Sequence, residues 1–278
     1  MKKTILLPML FALTMLTNCS AKNKTEKETE KNVKTEQKEI LTNKNGNDKV
    51  KFINIEYSNK IEGLNVSVAF RPIILKGGDM VSGTAIIEFN NGNSSYTLTN
   101  NHFAISSKLI EYTSKDDWHI DDFTPKDLVF DYKNPQIKNS LEGIKAPFFF
   151  YDINFDGNKE LIISEYANGQ RDVNNYKVYL LENGKPVDDY DQITNKAPYN
   201  QLDGFSKVNR VNNEIEFYHS SGICASSSYI YKLQNNGKLE LSKTVEHERD
   251  DNAGICYELK YEIKNGKKEL ISKTETKM

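Results

Sequence analysis

From residue 50 onward the chain alternates apolar and polar positions with the period of two that marks a strand with one buried face. Phe52, Ile53, Ile55 and Tyr57 open the pattern, and Leu64, Val66, Val68 and Phe70 repeat it strictly. Arg71-Pro72 is expected to end that strand or place it at an edge, because proline donates no ladder hydrogen bond. Gly77-Gly78 reads as a turn, and Asn90-Asn91-Gly92-Asn93 between two apolar runs reads as a hairpin. Phe103, Ile105 and Ile110 extend the sheet, and 128–132 is a further short strand. Tyr176, Val178 and Leu180 alternate with Tyr179 and Leu181, apolar on both faces, as a central strand would be. Ile215 and Phe217 lead to His219. Three Asn-Gly pairs, at 183–184, 236–237 and 265–266, sit between alternating segments and predict antiparallel meanders. No helical period appears. The predicted fold is all-β, an antiparallel sandwich or a barrel-like meander.

The N-terminus differs in kind. Lys2 and Lys3 precede an apolar run over 5–16, which is too short to span a bilayer as a mature helix and is read as a signal peptide, residues 1–18. Leu16-Thr17-Asn18-Cys19 resembles a bacterial lipobox, with Asn18 where a small residue is usual. The resemblance implies a lipidated Cys19 and a membrane anchor through its acyl chains. The alternative is an ordinary secretory signal. Residues 19–49 mix Lys and Glu with almost no apolar residue before Ile40, so they bury too little surface to offset chain entropy and form a tether. The β domain is then 50–278, and 135–147, with Pro, Asn and Gly, is the one place where it could divide.

Composition narrows the function. A formal net charge of −2 gives no electrostatic reason to bind nucleic acid. Fifteen tyrosines and 13 phenylalanines suit half-buried strands. With Cys19 assigned to lipid, Cys224 and Cys256 remain as an even pair in an exported chain, which predicts a disulfide closing a loop of about 33 residues. Two buried thiols are the alternative.

The densest chemistry lies in 148–163, an apolar run, a polar loop and a second apolar run. Asp152, Asn154, Asp156, Asn158 and Glu160 place oxygens at positions 1, 3, 5, 7 and 9 of the loop, with Asn158 offering its backbone carbonyl. Gly157 stands where such a loop turns sharply. Hard oxygen donors in this number point to Ca2+ rather than Mg2+. Ile163 occupies the twelfth position, where an EF-hand carries a bidentate Glu, so this is not an EF-hand. Asp172, Asn174 and Asn175 are candidates to complete the coordination. A polar turn without metal is the alternative.

The loop Asp152-Ile-Asn-Phe-Asp-Gly-Asn-Lys-Glu-Leu resembles the D-x-N-x-D-G-x-x-D/E-L loop of FG-GAP and VCBS-type repeats. One copy does not make a propeller. Together with Asn175-Tyr-Lys-Val-Tyr-Leu180, His219-Ser-Ser-Gly-Ile-Cys224 and 232–241, it resembles a family of calcium-binding bacterial envelope β proteins, similar in structure to invertebrate-type lysozyme inhibitors. The resemblance covers roughly 82–245, and only the calcium loop is specific. It implies calcium at Asp152, Asn154, Asp156, Asn158 and Glu160, and lysozyme inhibition as an alternative function.

Other clusters carry less. The segment 219–229 is rich in Ser and Gly and is a candidate partner-binding loop through His219, Ser220, Ser221, Gly222 and Tyr229. The acidic runs 116–122 (with Trp118 and His119) and 188–191 read as solvated loops that could bind metal or sugar. His102, His119, His219 and His247 are scattered, and no nucleophile elbow, zinc-protease helix or phosphate loop is present. The expectation is a non-enzymatic, calcium-binding envelope lipoprotein that acts as a binding module. Its partner would be a lysozyme-like protein or a glycan. A glycan hydrolase is a further alternative.

Overall fold

A computed structural model describes residues 51–76, 80–93, 95–110, 126–165, 174–182, 184–186, 197–222 and 224–277. The expected signal peptide (1–18), Cys19, the expected tether (19–49), Gly77-Gly78, the acidic runs 116–122 and 188–191, and Asp172 lie outside the described residues.

The first alternating segments form a meander of β1 (Ile53–Tyr57), β2 (Asn65–Lys76), β3 (Met80–Asn90) and β4 (Ser95–Ser106). β5 (Asp127–Phe130) joins the outer edge of β1 in parallel. The predicted Asn90 to Asn93 hairpin closes β3 on β4 in the register Asn90↔Ser95. The Asn90 and Asn91 side chains accept from the Gly92 and Asn93 N–H groups, which stabilises the turn locally. Pro72 does not end β2. The strand runs on to Lys76 with a bulge between Pro72 and Ile74, and β1 pairs with β2 no further than Phe70. Pro72 therefore sits where one side of β2 has no ladder to interrupt. Opposite the bulge, Gly83 lies so close to β2 that a Cβ there would collide with the Arg71 carbonyl.

The next three strands are the middle layer. β6 (Phe148–Tyr151) and β8 (Asn175–Tyr179) flank β7 (Glu160–Glu165), with Phe148↔Ile163 and Leu161↔Tyr179 as partners. One pair, Phe103↔Glu165, links this layer to β4. Neighbouring residues of a strand face opposite ways, and here both ways are buried. Phe148, Phe150, Leu161, Ile163 and Tyr179 join Ile55, Val68, Phe70 and Phe89 in one core. Phe149, Ile162, Tyr176 and Val178 join Val208, Ile215 and Phe217 in a second. The apolar doubling seen in the sequence at Phe148-Phe149-Phe150 and Tyr176–Tyr179 is the signature of this layer. The strand ends before Leu180, since a two-residue hairpin of β9 (Leu181–Glu182) and β10 (Lys185–Pro186) follows. The open edge of β6 is covered by a side chain. Asn134 donates to the Phe150 carbonyl at 3.0 Å and accepts from the Phe150 N–H at 3.1 Å, as a neighbouring strand would.

After a 3-10 turn at Tyr199–Gln201 the chain builds a six-stranded meander in sequence order. Its strands are β11 (Lys207–Asn209), β12 (Glu214–Gly222), β13 (Ala225–Leu233), β14 (Leu239–Asp250), β15 (Ile255–Lys264) and β16 (Lys267–Lys277). Asn236-Gly237 and Asn265-Gly266 turn it as predicted. Asn265 and Gly266 both have positive φ, +52° and +73°, the geometry that favours this pair in a hairpin. The β11–β12 end packs on the middle layer. β16 is exposed along its whole length, and Lys267, Lys268, Lys273 and Lys277 guard it against edge pairing. Among the described residues the strand paths stay open in every sheet, and apart from the parallel β5–β1 pair the architecture is layered antiparallel sheets and not a barrel. Phe52–Met278 form one unit by their contacts.

Candidate functional site

The turn between β6 and β7 holds the predicted calcium residues. It coils through two left-handed residues, Phe155 at φ +63° and Gly157 at φ +91°. The second is the glycine that the spacing predicts. Two side chains fold the loop on itself. Asn154 Oδ1 accepts from the Asp156 N–H at 2.9 Å, and Asp156 Oδ1 accepts from the Asn158 N–H at 2.7 Å. Asn154 also donates to Asp156 Oδ2 at 3.0 Å.

The base of the loop is buried. Glu160 is 2% exposed although it is a carboxylic acid. Its Oε2 accepts from the Ile153 N–H at 2.9 Å. Burial pushes its carboxyl up to about 8, the Ile153 N–H opposes the rise, and the charges of Asp156 and Asp152 add to it. Asp152 Oδ1 is buried with no hydrogen-bond partner. The raised Glu160 carboxyl and the partnerless Asp152 Oδ1 are both costs of burial that the hydrogen bonds of the loop leave uncompensated. The donors are all hard oxygens, which suits calcium. Among the described residues no three Asp, Glu, His or Cys side chains are gathered closely enough to form a metal group.

Both outer layers reach this loop. From the loop after β11, Arg210 donates to the Asp152 carbonyl at 2.9 Å, to Asp152 Oδ2 at 3.3 Å and to the Tyr151 hydroxyl at 3.0 Å. Its guanidinium lies over the Tyr151 ring, 4.6 Å from the centroid. From the other side, Lys159 pairs with Glu62 in the β1–β2 connection at 2.7 Å. Tyr199 also borders the site. Burial, with the charges of Glu160 and Asp156, pushes its hydroxyl up to about 12. Sequence spacing alone found none of Arg210, Glu62 and Tyr199, since each comes from a distant segment with no motif of its own.

Asn174 and Asn175 do not complete the loop. Asn175 pairs with Glu165, at the end of β7 away from Glu160, about 17 Å along the strand by the usual rise. The antiparallel return of β8 places its first residues at the far end. The segment 219–229 is also not a loop. His219↔Ser227 and Ser220↔Ser226 are ladder partners in the β12–β13 hairpin, and Gly222↔Ala225 closes it. The serines are used across the ladder: Ser228 donates to Glu216 Oε1 at 2.9 Å, and Ser226 Oγ lies 3.0 Å from His247 Nδ1. Tyr229 pairs with Phe217, and its ring meets His219 edge-on at 5.7 Å. Cys224, at φ +56°, is disulfide-bonded to Cys256 on β15, with Cα atoms 5.7 Å apart.

A cavity of about 490 Å³ at the Glu165 end of the middle layer has Glu165, Asp203, His102 and His219 in its lining. Both acids already have structural work. Glu165 accepts from Asn100, and Asp203 Oδ1 accepts from the Phe205 N–H and the Ser206 hydroxyl.

No protein-family model and no curated protein matches the chain. A solved structure described as "Structure of a Xanthomonas Type IV Secretion System related protein" is similar, with a TM-score of 0.51 and 16% identity over 79% of this chain and 93% of that one. At that identity the likeness is one of fold.

Proposed function

We propose that the chain is a non-enzymatic binding module of the bacterial envelope, lipid-anchored at Cys19, with calcium as a structural brace in the β6–β7 loop. The observation that carries the calcium reading is the pair at the base of the loop: buried Glu160, and Asp152 Oδ1 without a partner. Asp152, Asn154, Asp156, the Asn158 carbonyl and Glu160 would hold the ion, and their negative charge would then be offset rather than buried alone. The ion would stiffen a turn that joins two strands of the middle layer, so binding and folding would be coupled. The envelope setting rests on the N-terminal signal and lipobox pattern and is in keeping with the fold likeness to a secretion-system related protein.

Thermal melting at millimolar calcium and with a chelator tests the brace. Calcium is expected to raise the melting temperature, and Asp156→Ala is expected to remove the effect. Equal melting curves with and without calcium would sink it. Retention of the chain in the membrane fraction, lost in Cys19→Ala, tests the anchor.

A further inference from the structure

Arg210 has contacts that the calcium reading does not use. It takes the carbonyl and Oδ2 of Asp152, the first residue of the loop, and leaves Oδ1 as the oxygen without a partner. Its ring partner, Tyr151, is the last residue of β6. Arg210 itself stands just past β11, whose Val208 lies in the second core with Phe149 and Ile162. A fork that fixes both the backbone and one oxygen of a ligand sets the direction of the other oxygen, as outer partners of metal ligands do.

We propose that Arg210 is a positioning residue: it orients Asp152 for the cation, and through that contact cation binding in the β6–β7 loop is tied to the seating of the β11–β12 strands. The inference rests on the calcium reading. It makes a demand that simple electrostatics would not. A guanidinium beside a cation site repels the cation, so removing its charge should tighten binding if charge were its main effect. If orientation dominates, removing it weakens binding. Lysine keeps the charge but not the planar fork, so Arg210→Lys should behave like Arg210→Met.

The test is calcium titration by calorimetry together with amide hydrogen exchange, on the full chain, with calcium chloride as the probe. In the unaltered protein calcium should slow exchange in 152–160 and also in 207–217. In Arg210→Met and Arg210→Lys the affinity should fall roughly 10- to 100-fold. At saturating calcium the loop should regain protection while 207–217 does not. Lys159→Met, which cuts the contact on the opposite side, should leave the response of 207–217 intact. Unchanged or tighter calcium binding in both Arg210 variants would overturn the proposal, as would a retained response of 207–217. Protection of the loop without any response of 207–217 in the unaltered protein would overturn the clamp alone. No response of the loop to calcium would overturn the calcium reading and the clamp with it.

Discussion

Arg210 donates to the main-chain carbonyl of Asp152 at 2.9 Å across 58 residues of chain. A main-chain acceptor is indifferent to the Asp152 side chain, so this contact holds whatever the carboxylate binds. It joins the first residue of an acidic turn to a different sheet. On the opposite side the Lys159–Glu62 pair is half-exposed, and such pairs contribute little. The Arg210 side is therefore the stronger of the two ties, with three hydrogen bonds and a stacked ring.

Without calcium, stability should fall as pH rises. Burial, with Asp156 and Asp152, pushes the Glu160 carboxyl from 4.5 up to about 8. Between those values the folded chain holds a proton that the unfolded chain has released. The contribution is full below about 4.5 and is lost as pH rises through about 8. Melting temperatures in chelator from pH 5 to pH 8.5 should decline, and Glu160→Gln should flatten the decline. An equally steep curve in the Gln variant would refute the assignment.

Phe148 and Phe149 are adjacent but serve different cores. Each, replaced by Ala, should cost about 3–5 kcal/mol, from lost burial and the cavity left behind. Amide exchange separates them. Phe148→Ala should first loosen β1–β4, and Phe149→Ala should first loosen β11–β12. The same region loosening in both variants would argue against a middle layer buried on two faces.

Asn134→Ala should leave both the Phe150 N–H and its carbonyl without their present partner. Unmet backbone groups of this kind cost about 1–3 kcal/mol. Denaturant unfolding should show the loss as a lower midpoint at an unchanged slope. A midpoint like that of the unaltered protein would mean that water replaces the amide without cost.

Breaking the Cys224–Cys256 bond frees a loop of sequence separation 32. The chain-entropy account puts its contribution at about 3–4 kcal/mol. Reductant should lower the melting temperature and expose β13–β15 to protease before β1–β4. A double Cys→Ala variant that melts like the oxidised protein would contradict this.

Much of the strand plan was legible because strand periodicity and Asn-Gly turns are local. The β3–β4 hairpin and the β13–β14 and β15–β16 turns stand where those signals put them. Pro72 stands where β1 no longer pairs with β2, one of its two expected places, while β8 stops one residue short of Leu180; where a strand ends depends on a neighbour that spacing cannot supply. The segment 219–229 misled by composition. Ser and Gly suggest a loop, but here the serines are ladder residues whose hydroxyls meet partners on the neighbouring strands. Of the site, the acidic spacing and Gly157 could be read directly, while Asn174 and Asn175 were placed near the loop only by their closeness in sequence.

By itself the sequence determined the all-β class, the acidic turn at 152–160 and the cysteine pair. Each is written in residues a few positions apart or in a simple count. Tertiary structure alone decided that the turn joins two strands buried on both faces, that Glu160 lies 2% exposed beneath it, and that Arg210 holds it from another sheet. Those facts depend on which layers cover a strand and on contacts across 58 residues. Long-range packing sets both, and no local pattern encodes it.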